Sequence, residues 1–329
     1  MKVLIIGGSG RISLMTAQEL YAAGHDVLVI NRGHNNTELG SIPTISGDIN
    51  DRPFMNELLS KYSFDVVLQF VAFDGNDIQR DYQYFAHKGI HYIVTSTCVT
   101  YSRFDYDGLI QEDHLQENPY SEYGRRKIDM EKALWEIHKK DHSFIFTILR
   151  PSHTYDYRAI PVCLHGKNGT YSVLKRIKEG KPVILPNDGK NIWPVLYAKD
   201  FAKGILGLLK NPKAYWESFN ITSEERHSWN ELYGLIGEII GKKPNIVYLP
   251  AEVLVHEQPS LEAALLGDKA LNSKIDNTKL IAIVPEFRNQ VPLKDSLKET
   301  ITFIEQHKEY QKDDSEFDSF TDSLIKKFS

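Results

Sequence analysis

The first 24 residues of this chain leave very little choice of fold. Lys2 to Ile6 is a short apolar run, Gly7-Gly8-Ser9-Gly10-Arg11-Ile12-Ser13 is a glycine-rich turn, and Leu14, Ala17, Leu20 and Tyr21 then recur at helical spacing. Gly24 stands where a glycine ends a helix. A buried strand that feeds such a turn and then a helix makes a cradle for a dinucleotide pyrophosphate, because the helix N-terminus offers free N–H groups. Within Gly7-x-x-Gly10-x-x-Ser13, Gly7 permits the tight turn and Gly10 lets backbone N–H groups approach phosphate. Ser13 takes the place of a third glycine and is small enough for close helix–strand packing.

The alternation continues. Residues 27–30, 43–46, 66–71, 92–95 and 144–149 read as strands, with helices over 53–62, 77–87 and 123–138 between them. That order predicts an α/β fold, a Rossmann-type doubly wound parallel sheet. After Pro151 the pattern breaks: 155–195 reads as loop-rich, and a helix over 198–209 returns the chain. The expected division is a dinucleotide-binding domain over 1–155, with a return segment near 195–222, and a smaller, discontinuous substrate-binding region over 156–329. The tail 312–329, with Phe317, Phe320 and Phe328 among charges, reads as an amphipathic helix on the body or on a neighbour.

Composition narrows the class. Hydrophobic residues at 41% and charged residues at 25% describe an ordinary globular chain, and a net charge of -5 gives no electrostatic reason for nucleic acid or an anionic membrane as partner. The two cysteines, Cys98 and Cys163, imply a reducing compartment with neither thiol bridged, and no metal site is expected. No leader and no run of the roughly 20 apolar residues a membrane helix needs is visible, so a cytoplasmic location is expected.

The adenosine end is read from the close of the second strand. NAD-preferring sites place an acid there to hold the ribose 2′-hydroxyl. Here the segment is Asn31-Arg32-Gly33, and the Arg32 guanidinium suits a 2′-phosphate, which leans the expectation from NAD to NADP. Asp48 in Gly47-Asp48-Ile49-Asn50 is placed against the adenine amino group, with Ile49 on the ring.

Tyr123 and Lys127 lie four apart in a helical stretch and share a face. An ammonium beside a phenol favours the phenolate and is expected to lower its pKa, giving a group that exchanges a proton with a hydroxyl or carbonyl. Thr95-Ser96-Thr97 ends a predicted strand at the sheet's carboxyl edge, where ligands bind in such folds.

Together, Gly7 to Ile12, Gly47-Asp48-Ile49, Thr95 to Tyr101, Tyr123-Gly124-Arg125-Arg126-Lys127 and Leu149-Arg150-Pro151 resemble the extended short-chain dehydrogenase/reductases, and within them the NAD-dependent epimerase/dehydratase family. The match of motif order and spacing runs from residue 2 to about 235. The resemblance implies Tyr123 as catalytic base, Lys127 on the nicotinamide ribose and Thr97 as the catalytic Ser/Thr. It also implies Gly7, Ser9, Gly10, Arg11 and Ile12 at the pyrophosphate, Phe70, Val71 and Ala72 along the cofactor channel, Ser96 beside the cofactor and Pro151 at the nicotinamide. Three positions depart from the family pattern: Gln69 opens the run after the fourth strand where a His is usual, Tyr155-Asp156 replaces Tyr-Gly, and Tyr197 replaces a frequent His. The Asn31-Arg32-Gly33 and Phe70 to Phe73 runs are similar to a divergent branch that includes chloroplast stem-loop RNA-binding proteins.

The function expected is an NAD(P)-dependent oxidoreductase or epimerase acting on a nucleotide sugar. The alternatives are an NADPH-dependent reductase of a small carbonyl compound and a non-catalytic RNA-binding or regulatory use of the fold. Arg158, His165, Lys167, Lys175 and Arg176 are the cations available for a substrate diphosphate. Trp193 and Trp229 are expected in core packing rather than as sugar platforms. The family resemblance also implies a homodimer formed through helices flanking the Tyr–Lys helix.

Overall fold

The computed structural model describes residues 1–33, 37–288 and 290–328. The strands in chain order are β1 (Lys2–Ile6), β2 (Asp26–Asn31), β3 (Thr44–Ser46), β4 (Val66–Gln69), β5 (His91–Thr95), β6 (Ile145–Pro151), β7 (His153–Tyr155), β8 (Pro182–Pro186), β9 (Val195–Tyr197), β10 (Glu217–Ile221) and β11 (Asn245–Leu249). Seven of them form one parallel sheet in the order β10-β6-β5-β4-β1-β2-β3. The order reverses between β1 and β4, and their carboxyl ends open the crevice in which a doubly wound sheet binds ligands.

The helices are α1 (Arg11–Ala22), α2 (Arg52–Lys61), α3 (Gly75–Phe85), α4 (Glu122–His138), α5 (Tyr171–Glu179), α6 (Ala198–Leu208), α7 (Trp229–Ile240), α8 (Ala251–Glu257), α9 (Glu262–Ala264), α10 (Thr278–Ile283), α11 (Leu293–Gln306) and α12 (Ser315–Phe328). Both faces of the sheet are covered, which is why its central strands are apolar throughout rather than alternating. Val3 and Ile5 of β1 face Leu14 and Leu20 of α1 and Phe201 and Ile205 of α6. Leu4 and Ile6 face Met55, Ile78, Met130 and Leu134 from α2, α3 and α4.

Local chemistry fixes where these helices begin. Asp51 accepts the Phe54 N–H at 3.2 Å and starts α2. Ser121 accepts the Gly124 N–H at 3.1 Å and starts α4, which places Tyr123 in its first turn.

The remaining chain gathers around a separate cluster that includes Ile177, Trp229, Tyr233 and Leu297, with β8 paired to β11. The 155–195 stretch therefore differs from its loop-rich reading: it carries α5 and β8 and is bounded by β7 and β9. Gly180, at φ 71°, ends α5 two residues before Pro182 opens β8, so the glycines and prolines mark junctions between short elements. The tail packs on the body. Thr321 and Leu324 are buried, Phe317 and Phe320 lie against this cluster, and the buried Arg176 pairs with Asp318 at 3.1 Å and with Asp322. Ser329 lies outside the described residues. Cys98 and Cys163 are both buried free thiols. No described helix is long and apolar enough to cross a membrane.

His91, fully buried at the start of β5, is held as a neutral ring. Thr147 gives its hydroxyl proton to the Ala214 carbonyl, so the His91 Nε2–H donates to Thr147 Oγ1 at 2.7 Å, and Nδ1 accepts the Lys210 N–H at 3.1 Å. A second ring proton would meet an N–H head-on. Burial first, and the Lys210 charge second, push its pKa from 6.5 to about 3. Above 6.5 the ring is neutral folded or unfolded and adds nothing. Below it only the unfolded chain takes the proton, so stability falls with pH down to about 3. Urea unfolding is expected to show roughly 2 kcal/mol lost from this group between pH 7 and pH 5, and His91→Gln to remove that share of the slope. An unchanged slope in the variant would overturn the assignment.

Candidate functional site

One cleft of about 950 Å³ runs along the carboxyl ends of β1, β2, β4, β5 and β6. Its dinucleotide half is lined by Gly7, Ser9, Gly10, Arg11, Ile12, Asn31, Arg32, Asp48 and Ile49, and its centre by Phe70, Val71, Ser96, Thr97, Tyr123, Lys127 and Pro151. Residues read from well-separated stretches of sequence thus converge on one surface. Ala72 does not line it: the side chain is fully buried, and its carbonyl instead accepts the Lys127 ammonium at 2.6 Å.

A dinucleotide fits the first half. Gly7 has φ 85°, and a Cβ there would stand 2.4 Å from Val71 Cγ1, so the turn passes under Val71 only as glycine. The Gly10 N–H is taken by Ser13 Oγ at 2.9 Å and is not offered to phosphate, which leaves that task to the next N–H groups of the α1 first turn. Ser13 earns its place as an internal cap. At the end of β2, Asn31 Oδ1 accepts the Gly33 N–H at 2.9 Å, while its buried Nδ2 has no partner. Asn31 lines the cleft next to the exposed Arg32, which makes no ion pair among the described residues. Asp48 Oδ1 accepts the N–H and Nδ2 of Asn50, both at 2.9 Å, which shapes the turn carrying Ile49 into the cleft.

The Gln69 departure has a local cause. Its Nε2 donates to the buried Asp81 at 2.7 Å and its Oε1 accepts the Val71 N–H at 2.8 Å, which fixes the channel wall. Tyr92 donates to the same Asp81 carboxylate at 2.7 Å. An imidazole with one donor and one acceptor nitrogen has the same pairing logic.

In the centre, Lys127 Nζ donates to the Ala72 and Thr95 carbonyls, each at 2.6 Å, and lies 5.0 Å from the Phe73 ring centroid and 5.9 Å from that of Tyr123. Burial lowers its pKa to about 8. Tyr123 shares a hydrogen bond with Thr97, yet its phenol stands above its ordinary value because dehydration by the cleft walls outweighs that bond. The expected lowering by Lys127 is not observed: the ammonium is engaged by two carbonyls rather than aimed at the phenol.

Behind these groups lies a buried polar network that the sequence reading missed. Ser96 donates to Glu131, which sits four residues after Lys127 on the same face of α4. Arg150 grips Glu131, with Nη2 to Oε2 at 2.6 Å and Nε within 3.1 Å of both oxygens, and its Nη1 donates to Tyr101 at 2.7 Å. Tyr101 in turn donates to Asn220 of β10 at 2.6 Å, which ties the edge strand to the site. The signal available was the Glu at i+4 from Lys127 together with the Arg of Leu149-Arg150-Pro151.

The far end of the cleft is lined by Arg103, His153, Trp193, Asp268 and Ser273, also unread from sequence apart from Trp193. Trp193 is only 4% exposed and stacks on Trp229 with centroids 5.5 Å apart, in line with a packing role. None of the cations expected for a diphosphate lines this cleft. Arg158 pairs with Asp156 at 2.5 Å and Glu38 at 2.5 Å, Lys167 with Glu316, Lys175 with Asp313 at 2.8 Å, and Arg176 with Asp318 and Asp322. His165 bonds the Gly166 carbonyl at 2.8 Å. The acids that hold them come from loops and from the tail helix, up to 149 residues away in the chain. Among the described residues no cluster of His, Cys, Asp and Glu is arranged to hold a metal.

A doubly wound sheet with a glycine cradle and a Tyr–Lys helix at its switch point defines a dinucleotide-dependent oxidoreductase of the extended short-chain type. Comparison with known proteins agrees: residues 3–222 match the NAD dependent epimerase/dehydratase family, and the chain belongs to it. Among relatives, 2'-dehydrokanamycin reductase of Streptomyces kanamyceticus is 25% identical, over 77% of this chain and 70% of that protein. The Chloroplast stem-loop binding protein of 41 kDa b of Arabidopsis thaliana is 27% identical, over 76% of this chain and 67% of that one. The fold is shared with UDP-glucuronic acid 4-epimerase from Bacillus cereus, solved with UDP-glucuronic acid and NAD, at TM-score 0.72 and 21% identity, covering 93% of this chain and 99% of that one.

Proposed function

We propose that this protein interconverts a secondary alcohol and a ketone on a sugar substrate, with Tyr123 moving the proton and a nicotinamide dinucleotide, NADP in preference to NAD, held in the cleft. The observation that carries the reading is the convergence of Thr97, Tyr123 and Lys127 beside the glycine cradle in one cleft. When bound, the dinucleotide supplies or accepts the hydride. Thr97 holds the reacting oxygen next to the Tyr123 hydroxyl, which gives or takes that oxygen's proton. Lys127, fixed by the Ala72 and Thr95 carbonyls, holds the nicotinamide ribose, and Ser96, fixed by Glu131, lines the cofactor face. In this reading residues 1–155, with 195–222, carry the dinucleotide, and the other segments of 156–329 close the substrate end.

A neutral phenol and an Arg32 without an ion pair among the described residues favour net reduction with NADPH, as the name of the 2'-dehydrokanamycin reductase does. The epimerase reading, favoured by the name of the Bacillus cereus enzyme that shares the fold, keeps its cofactor through each cycle. Denaturing the purified protein, identifying any released nucleotide and then titrating with NADH and NADPH separates the two. NADPH preference supports net reduction; tightly held NAD supports epimerisation. Arg32→Ala is expected to weaken NADPH by about tenfold, the worth of one charge-assisted hydrogen bond, and to leave NADH unchanged. Equal affinities in the wild type would remove Arg32 as the phosphate reader.

A further inference from the structure

We infer that the substrate carries no phosphate at its non-reacting end: the Arg103–Asp268 pair with Ser273 recognises an uncharged, hydroxyl-bearing glycosyl group in place of a nucleoside diphosphate. The inference rests on the hydride-transfer reading of the same cleft and adds the class of substrate.

The charges around the cleft carry it. Among the described residues that line it, the cations are Arg11, Arg32, Arg80, Arg103, Arg126 and Lys127. Arg80 is paired with Asp77 at 2.7 Å and Asp81 at 2.8 Å, and Arg126 with Asp74 at 2.8 Å. Lys127 is spent on two carbonyls. Arg11 and Arg32, which have no ion pair within 4.0 Å among the described residues, both lie in the dinucleotide half, at the glycine turn and at the end of β2. The cations without a carboxylate partner thus lie along the cofactor: Arg11 and Arg32 where its phosphates belong, and Lys127 at its ribose.

The substrate end is neutral by construction. The Arg103 side chain is almost wholly buried, and its fork is committed: Nη1 to Ser273, and Nη2 to the Gly267 carbonyl at 3.1 Å and to Asp268 Oδ1 at 2.6 Å. Asp268 has its other oxygen without a hydrogen bond among the described residues, on a side chain that lines the cleft and is 17% exposed. Its charge is felt at the Tyr123 phenol, where it adds to the rise caused by burial, so carboxylate and proton-transfer group flank the same space. A free carboxylate oxygen there accepts from a substrate O–H or N–H and repels a phosphate, while the donors without a partner at this end, Arg103 Nε and Trp193 Nε1, belong to a charge-compensated pair and a neutral indole and add no net positive charge. A smaller cleft of about 330 Å³ lies beyond the glycine turn, where Arg158 is neutralised by Asp156 and Glu38 and Arg11 belongs to the dinucleotide cradle itself.

The test is calorimetric titration of the NADPH-loaded wild type with UDP and with UDP-glucose, alongside hydride transfer with NADP⁺ on the uncharged methyl glucoside, methyl galactoside and trehalose. Neither uridine compound is expected to bind below about millimolar, a level at which few specific contacts are made. Asp268→Asn leaves the Arg103 charge uncompensated and is expected to tighten UDP at least about tenfold, while Asp268→Glu keeps the negative charge and is expected not to tighten UDP. Salt-sensitive micromolar binding of UDP to the wild type, or turnover of UDP-glucose, overturns the inference. If Asp268→Asn does not fold, the wild-type titration decides alone. Failure of UDP to bind supports the inference even if no tested sugar reacts, and that second result would count against the hydride-transfer reading only.

Discussion

Tyr123→Phe is expected to lower turnover by about 10³-fold, the middle of the range for loss of a positioned proton-transfer group, and to leave dinucleotide affinity within about twofold. The substitution removes one oxygen and little else. The ring keeps its edge contact with Phe73, centroids 6.4 Å apart, and the α4 cap at Ser121 does not involve it. Lys127 keeps both carbonyl partners, so the group placed on the ribose is not disturbed. The protonation state sharpens the expectation. Burial, opposed by the Thr97 hydrogen bond and aided by Asp268, holds the phenol above its ordinary value, so near neutrality Tyr123 carries its proton. It is therefore ready to donate to an oxygen that is gaining negative charge, which is the reductive direction. The reductive rate should be level through neutral pH, whereas binding should weaken first as pH rises past about 8, where Lys127 loses its ammonium. Single-turnover rates and direct NADPH titration of the variant check both halves. Retained turnover would remove Tyr123 from the chemistry, and lost NADPH binding would make it a structural residue.

The difference between what could and could not be read from the sequence follows from range. The cradle, the sheet order and the Tyr–Lys helix are written in contiguous stretches: Gly7 is needed for its own backbone angle, and Tyr123 and Lys127 share a face because they are four apart. The position of the helices on the two faces follows from strand hydrophobicity in the same local way. The far end of the cleft is not local at all. Arg103 meets Asp268 and Ser273 across 165 and 170 residues of chain, and no spacing rule announces that meeting. The same holds for four of the five expected diphosphate ligands, Arg158, Lys167, Lys175 and Arg176, whose types and positions were suitable but which pair with carboxylates distant in the chain. The Ser13 cap and the Lys127 carbonyl contacts show a third case, in which the residue was found and its partner was not. Backbone groups compete for polar side chains, and a reading of side chains alone does not count them.

Glu131→Ala is expected to destabilise the protein by about 3–5 kcal/mol, the cost of leaving one member of a buried ion pair without the other. Glu131 is 1% exposed and Arg150 4%, so water cannot replace the lost partner. Three of the bonds that hold the Arg150 guanidinium end on this carboxylate, and what remains to it is the Tyr101 hydroxyl and the Glu112 carbonyl, each at 2.7 Å. The same change frees Ser96 and the Gln116 amide, which donates to Glu131 at 2.9 Å. Because Ser96 lines the cofactor face, the damage should extend to function: weaker dinucleotide binding measured on the folded fraction, beyond the loss of stability. Glu131→Gln separates charge from shape. It keeps the volume and an acceptor oxygen for Ser96 but leaves Arg150 uncompensated, so it should recover cofactor affinity more than it recovers the urea midpoint. If both variants unfold near the wild-type midpoint, the pair is not a structural link between α4 and β6. If alanine destabilises without touching the affinity of the folded protein, Ser96 does not depend on Glu131 for its place at the cofactor.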